Sequence, residues 1–415
     1  MTKDEQVRAI AAEITAAGSM AFDLEFASEG RYIPELSLLQ VAWPARCDPG
    51  GGAPDPAAIA VIDCVAVDPG PILALLADPA VASVAHAARQ DLSLVAARFG
   101  VFAQCFWDTQ IAAAFVGMGE QIGYAKLVRA LVGVSLAKDA HYSGWLQRPL
   151  SPGQLRYAAD DVRYLPRLWT QLRARLEELG RLSWVGEESA ALAATAMPYG
   201  PAEEAYLTIK GQRGLTEVEQ ARLRVLAAWR QQTALADNRP LSWVLPDKAM
   251  LGLCRRPASS PRDLRAKADL SGATVRRYGA DIVAALERVE PVEPVEPVRE
   301  RPHAASTLGP RAQVWSAVIL GLIQSRASEV DIAARFVGTR ADADAVAAWY
   351  EQRGAGEGAE EPPSLPLLQG WRRELVGGSI LDWLRGQVGL RCTLDGPGAV
   401  TVATDLDVPE GRERE

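Results

Sequence analysis

The seven residues Met20–Phe26, MAFDLEF, constrain this chain more than any other stretch. Apolar residues flank Asp23 and Glu25, and the run reads as a β-strand. In a strand, positions i and i+2 point to the same face, so both carboxylates project together from an otherwise apolar strand. Like charges held side by side are costly without a countercharge. Hard divalent cations such as Mg²⁺ and Mn²⁺ prefer carboxylate oxygens, so one reading is a metal site. The other is a pair of acids at an exposed strand end. The D-x-E pattern alone does not decide, because 52 acidic residues make chance matches common.

The surrounding order sets the fold class. A helix is expected over 4–17, strands near 20–26, 36–43, 58–66 and 81–86, and helical stretches near 89–99, 108–117, 124–132 and 152–179. Strands that then alternate with helices predict an α/β layer fold. From 215 onward the chain reads almost entirely as helix. Thr216 and Glu219 form a capping box ahead of Val218, Leu223, Leu226 and Trp229. The clearest boundary is Val289–Pro297, where V-E-P occurs three times. Proline at every third residue favours polyproline II and forbids helix, which predicts a semi-rigid linker. A softer break lies at Met197–Ala202, and Gly354–Pro363 and the Gly/Pro-rich insertion Cys47–Ala57 read as loops. Residues 390–404 suggest a weak hairpin interrupted by Gly396-Pro397-Gly398. For 415 residues, two or three domains are expected.

Composition excludes some classes. A hydrophobic content of 48% excludes a mainly disordered chain. No apolar run approaches the roughly 20 residues that span a bilayer, and the first residues lack the order of a signal peptide, so a cytoplasmic protein without membrane partners is expected. Cys47, Cys64, Cys105, Cys254 and Cys392 are scattered and form neither a zinc pattern nor a disulfide framework. Three histidines, His86, His141 and His303, give no Ser-His-Asp case, and no phosphate-binding P-loop is present. The net charge of −8 argues against a nucleic-acid partner only until it is divided: −7 over 1–210, +5 over 211–290 and −6 over 291–415. The basic module carries Arg222, Arg224, Arg230, Arg239, Lys248, Arg255, Arg256, Arg262, Arg265, Lys267, Arg276 and Arg277. It reads either as a phosphate-contacting surface or as a solvated face. Trp229 and Trp243 within it are expected in the core.

Two further patterns follow MAFDLEF. HAARQDLSLV at His86–Val95 comes after an apolar run, VASVA, and places Asp91 in the first turns of a helix. YAADDVRYL at Tyr157–Leu165 spaces Tyr157 and Asp161 at i, i+4, on one helical face. Asp160 lies about 100° away and is expected to face solvent. Taken singly, Asp91 reads as a first-turn acid, Tyr157 as a half-buried aromatic, His86 as a structural histidine, and Trp145 and Arg148 as local packing.

The set, in this order, resembles the DEDD superfamily of 3′→5′ exonucleases in its tyrosine variant, and more closely the ribonuclease D family. The resemblance rests on DLEF, RYIPELSLLQ, HAARQDL, WDTQIAAAF, WLQRPL and YAADDVRYL. It continues in RPLSWVLPDKAML, similar to the helicase-and-RNase-D C-terminal (HRDC) module, and in GWRRELVGGSILDWL. It implies an α/β ribonuclease H-like exonuclease domain over 1–205, a mixed sheet with flanking helices. Two all-α HRDC-like domains follow, at 211–288 and 305–390, with a Pro/Glu linker at 289–304 and a tail at 391–415.

The resemblance implies that Asp23, Glu25, Asp91 and Asp161 hold two divalent metal ions, Mg²⁺ or Mn²⁺, with Asp23 bridging them. Tyr157 would orient the attacking water, since an ordinary tyrosine pKa of about 10 makes a poor base at neutral pH. Arg156 stands where the histidine variant would carry its histidine. Leu24 and Asp160 depart from the family's usual Thr and small residue, and the i+4 spacing favours Asp161 over Asp160 as ligand. The activity implied is metal-dependent trimming of RNA 3′ ends, tRNA precursors among them, releasing nucleoside 5′-monophosphates from a monomer. A DNA 3′→5′ exonuclease and a catalytically inactive RNA-binding scaffold are the alternatives.

Overall fold

The computed structural model describes residues 1–44, 57–136, 144–197, 199–289, 308–353, 364–392, 398 and 400–403. The V-E-P run beyond Val289, most of the 47–57 insertion, the 354–363 loop, His141, His303 and residues 404–415 fall outside them.

MAFDLEF lies in β1 (Ser19–Ala27), the middle strand of a five-stranded sheet ordered β3–β2–β1–β4–β5. β2 (Glu35–Trp43) pairs antiparallel with β1 on one side and with β3 (Ala58–Asp63) on the other. β4 (Ala82–Ala85) and β5 (Phe106–Asp108) run parallel to β1, joined by a crossover through helix Arg89–Phe99. The sheet is therefore mixed. The β1–β2 register slips between Glu25 and Phe26, a bulge beside the two carboxylates.

The alternation of β1 assigns its faces. Phe22 and Leu24 pack with Val7, Ile10 and Ile14 of helix Asp4–Ala17. Ala21 faces the other way, into a core with Val84, Val162, Leu165 and Leu168. Asp23 and Glu25 share that second face by the same alternation. The helix expected over 152–179 is two helices, Pro152–Arg163 and Leu165–Glu178. Pro166 has no N–H and crowds the carbonyl four residues earlier, which explains the break.

The capping box at Thr216 and Glu219 forms as expected and opens helix Glu217–Asp237. With helices Asp247–Arg255, Pro261–Ala268 and Gly272–Glu287 it encloses a core of its own around Leu223, Leu226, Met250, Leu253 and Ile282. Trp229 packs against that core, edge to face with Tyr278. Trp243 does not: it is 55% exposed, contrary to expectation. It sits in the single turn Leu241–Val244, where Val244 takes the inward position.

The last helices, Pro310–Glu329, Arg340–Arg353 and Gly378–Leu384, share one continuous core with the α/β domain. The Trp371 ring stacks on Trp184 at 5.1 Å and meets Phe115 edge-on at 5.1 Å. Its indole N–H donates to Glu188, which also pairs with Arg372 at 2.6 Å. A hairpin, β6 (Gly389–Cys392) and β7 (Val400–Ala403), forms where alternation suggested one. The segment expected as a tail from 391 thus begins inside a strand. Val400 explains why, since its backbone N–H and C=O both bond to the Ser325 hydroxyl at 2.9 Å. Among the described residues, no helix is long and apolar enough to cross a membrane, and Cys64, Cys105, Cys254 and Cys392 are free thiols.

Candidate active site

Helix Pro152–Arg163 packs over β1, β2 and β3 and brings Asp161 to the acidic face of β1. Carboxylate oxygens of Asp23, Glu25 and Asp161 lie within 4.8 Å of one another. Asp91 enters from the first turn of helix Arg89–Phe99. It is 8% exposed and not part of that triangle, yet the Asp23 charge acts on it, and its own charge acts on Glu25.

Burial is the leading cause of proton affinity at all four acids. It raises Asp23 to about 7. With the charge of Asp23 added, Asp161 rises to about 8. With the charges of Asp23, Asp161 and Asp91 added, Glu25 rises to about 9. Asp91 is held well above the usual carboxylate range by burial and by Asp23. A fold that concentrates hard oxygen donors where they repel and are poorly hydrated fits a small divalent cation.

Tyr157 donates its hydroxyl to Asp161. Burial, then the charges of Asp161, Glu25 and Asp23, push its pKa up, so it remains a donor. Trp145 backs it, ring centroids 6.0 Å apart. Arg148 braces that loop by donating to Trp145 O at 2.6 Å and to Asp63 at 2.7 Å, which holds Asp63 below the usual range. Asp160 turns outward to Arg163 at 2.7 Å, so Asp161 is the residue that meets Asp23. Both ring nitrogens of His86 are used within the fold, at 3.0 Å from Thr109 Oγ1 and 3.1 Å from Ile122 O.

Three residues that shape the site were not singled out from sequence. The Tyr124 hydroxyl donates to Asp160 O at 2.9 Å and accepts the Tyr164 N–H, so it fixes the helix end that carries Asp161. Nothing in its sequence context marks it. Asp108 is 1% exposed and accepts from the backbone N–H groups of Ala87, Ala88 and Gln110. It thereby holds Ala87 at φ 56 and sets the junction that delivers Asp91. Gln40 pairs across the sheet with Asp23, is fully buried, and its amide has no hydrogen-bond partner among the described residues. Its signal was legible: a polar residue inside the apolar run LSLLQVAW.

A mixed sheet with D-x-E on its central strand, an Asp at a strand–helix junction and Y-x-x-x-D on a covering helix defines a class, the 3′-5′ exonucleases. The family model described as 3'-5' exonuclease matches residues 1–177, and that of the HRDC domain matches 219–286. Ribonuclease D of Acidiphilium cryptum is 34% identical over 389 residues, covering 93% of this chain and 93% of that protein. Ribonuclease D of Granulibacter bethesdensis is 32% identical over 400 residues, 94% of this chain and 93% of that protein. The crystal structure of Escherichia coli RNase D, described as an exoribonuclease involved in structured RNA processing, superposes with a TM-score of 0.76. It is 26% identical and covers 93% of this chain and 98% of its own. The chain belongs to the ribonuclease D family and is an exoribonuclease.

Proposed function

We propose that this exoribonuclease trims structured RNA from the 3′ end, tRNA precursors among its substrates, and releases nucleoside 5′-monophosphates by two-metal hydrolysis. The observation that carries the reading is the triangle of Asp23, Glu25 and Asp161, with Asp91 and Tyr157 at its edge. The processing of structured RNA described for the E. coli relative supports the substrate class.

Asp23, Glu25, Asp91 and Asp161 would hold two Mg²⁺ or Mn²⁺ ions. When bound, such ions neutralise the phosphate, acidify the attacking water and stabilise the leaving 3′ oxygen. The protein's part is placement. Tyr157 keeps its proton at neutral pH and donates it to Asp161, so its hydroxyl oxygen orients the attacking water by accepting a hydrogen bond and does not deprotonate it. Trp145 fixes the ring that carries this hydroxyl. Tyr124 and Asp108 hold the two helices that present Asp161 and Asp91. The HRDC module supplies sequence-independent phosphate contacts, and the helices of 305–390 act as a second HRDC-like unit beside the 3′ end.

Matched 5′-labelled RNA and DNA strands digested in Mg²⁺ test this reading. RNA shortened one nucleotide at a time, faster than DNA, is expected. DNA degraded at the same rate or faster would favour the DNA exonuclease.

A further inference from the structure

On the HRDC module, Arg239, Trp243, Thr274, Arg276, Arg277 and Tyr278 line an open cavity of about 420 Å³. Its composition is unusual for the surface of an acidic protein. Three guanidinium groups converge, and Arg265 approaches the same helix start: both Arg276 and Arg265 lie within 4 Å of where a side chain on Gly272 would begin. Asp237 is the facing carboxylate, and it is already committed. It accepts from Arg277 at 3.0 Å and from the Tyr278 hydroxyl at 2.7 Å. Arg239 and Arg276 form no ion pair among the described residues. The cavity therefore holds surplus positive charge next to an indole that is 55% exposed.

The cavity also has a fixed relation to β1. Asn238, next to Arg239, ends its helix in the left-handed conformation and accepts the backbone N–H groups of Tyr32 and Ile33 at 3.1 and 2.8 Å. The far edge of the Trp243 indole sits against Gly30, where a β-carbon would stand 3.3 Å from it. Both contacts fall on the loop that leaves β1, the strand of Asp23 and Glu25.

We propose that this cavity is a nucleotide site for the RNA chain upstream of the 3′ end: a base stacks on Trp243, and the flanking phosphates lie among Arg239, Arg276 and Arg277. An exposed indole offers a π-face that any base can use, and guanidinium groups bind phosphate without reading sequence. Arginine beside an aromatic ring is the pairing that single-stranded nucleic acid uses, and it fits an enzyme that moves along RNA of any sequence. The site rests on the RNA-directed reading above.

The test is equilibrium binding of a single-stranded RNA oligonucleotide to the full chain in an Asp161→Asn background, with Trp243→Ala and Arg276→Gln added separately. Trp243→Ala is expected to weaken binding roughly 5- to 150-fold, the range for loss of one stacked base. Arg276→Gln should weaken it less and reduce the salt dependence by about one phosphate contact. Arg276 is exposed, so its variant reports on the site even if removal of the indole loosens the Gly30 contact. Nucleoside 5′-monophosphate and inorganic phosphate are titrated in parallel. RNA binding unchanged in both variants would overturn the proposal, as would a monophosphate that binds here while RNA binding is unaffected. Failure of the catalytic reading would look different: Asp161→Asn would still degrade RNA, whatever these affinities are.

Discussion

Under helix Pro152–Arg163 three half-buried carboxylates crowd together beside the buried Asp91, with no cationic side chain among the causes that set their proton affinity. On the HRDC module three arginines gather around an exposed indole, with Asp237 as their countercharge. Each region holds charge of one sign in excess, but burial differs, and burial decides what each can bind. Poorly hydrated acids in fixed positions suit a small multivalent ion. Exposed arginines on flexible stems suit an extended polyanion and remain open to screening by salt.

The most severe way to break this contrast is Asp161→Asn. RNA hydrolysis should fall by about 10²–10³-fold or more, as when a transition-state charge partner is lost, with RNA affinity nearly unchanged. Turnover and equilibrium binding, measured on the same preparation, check it. Equal losses in both would mean that the acidic region is not separate from RNA binding.

A second test asks how far the catalytic unit extends. Trp371 is fully buried between Trp184 and Phe115, whereas the HRDC module reaches the α/β domain through a loop. Trp371→Ala should cost about 3–5 kcal/mol of stability and inactivate the enzyme by unfolding the α/β core. Chemical denaturation followed by far-UV dichroism checks this. A separate transition for the C-terminal helices, with the α/β core intact, would contradict the shared core. Tyr157→Phe is smaller: one orienting hydrogen bond, and a fall in turnover of about 3- to 10-fold, read from single-turnover rates with KM unchanged.

The smallest effect is on stability and carries a sign. Asp23, Asp161 and Glu25 have folded-state pKa values of about 7, 8 and 9, above their unfolded values. In that interval the folded chain binds more protons than the unfolded chain, so stability falls as pH rises. Metal-free protein should therefore lose melting temperature from about pH 4 toward pH 9, and Mg²⁺ should restore more of it at the alkaline end. Melting curves with and without chelator, across pH, measure this. A metal-free melting temperature that climbs through the interval would contradict the burial of these acids.

The acidic face was legible as a cluster because its signals are local. Alternation in MAFDLEF put Asp23 and Glu25 on one side, and the i+4 spacing put Tyr157 and Asp161 on one helical face and Asp160 outside it. Local capping chemistry likewise identified the start of the HRDC helices at Thr216. Contacts distant in sequence were not legible. Tyr124 holds the end of a helix that lies 36 residues further along. Trp243 was expected in the core because tryptophan is apolar, but one helical turn has room for one inward residue, and Val244 takes it. The merger of the last helices with the α/β core depends on Trp371 and Glu188, which lie 183 residues apart.

Whether the acidic cluster binds metal is measured by calorimetric titration of the full chain with Mn²⁺, wild type against Asp23→Asn. Two ions should bind per wild-type chain, with their heat lost in Asp23→Asn and a metal-free melting temperature at least as high in the variant because a poorly hydrated, repelling carboxylate is gone. A wild-type chain that binds no divalent ion, or an Asp23→Asn chain that binds both, would contradict it.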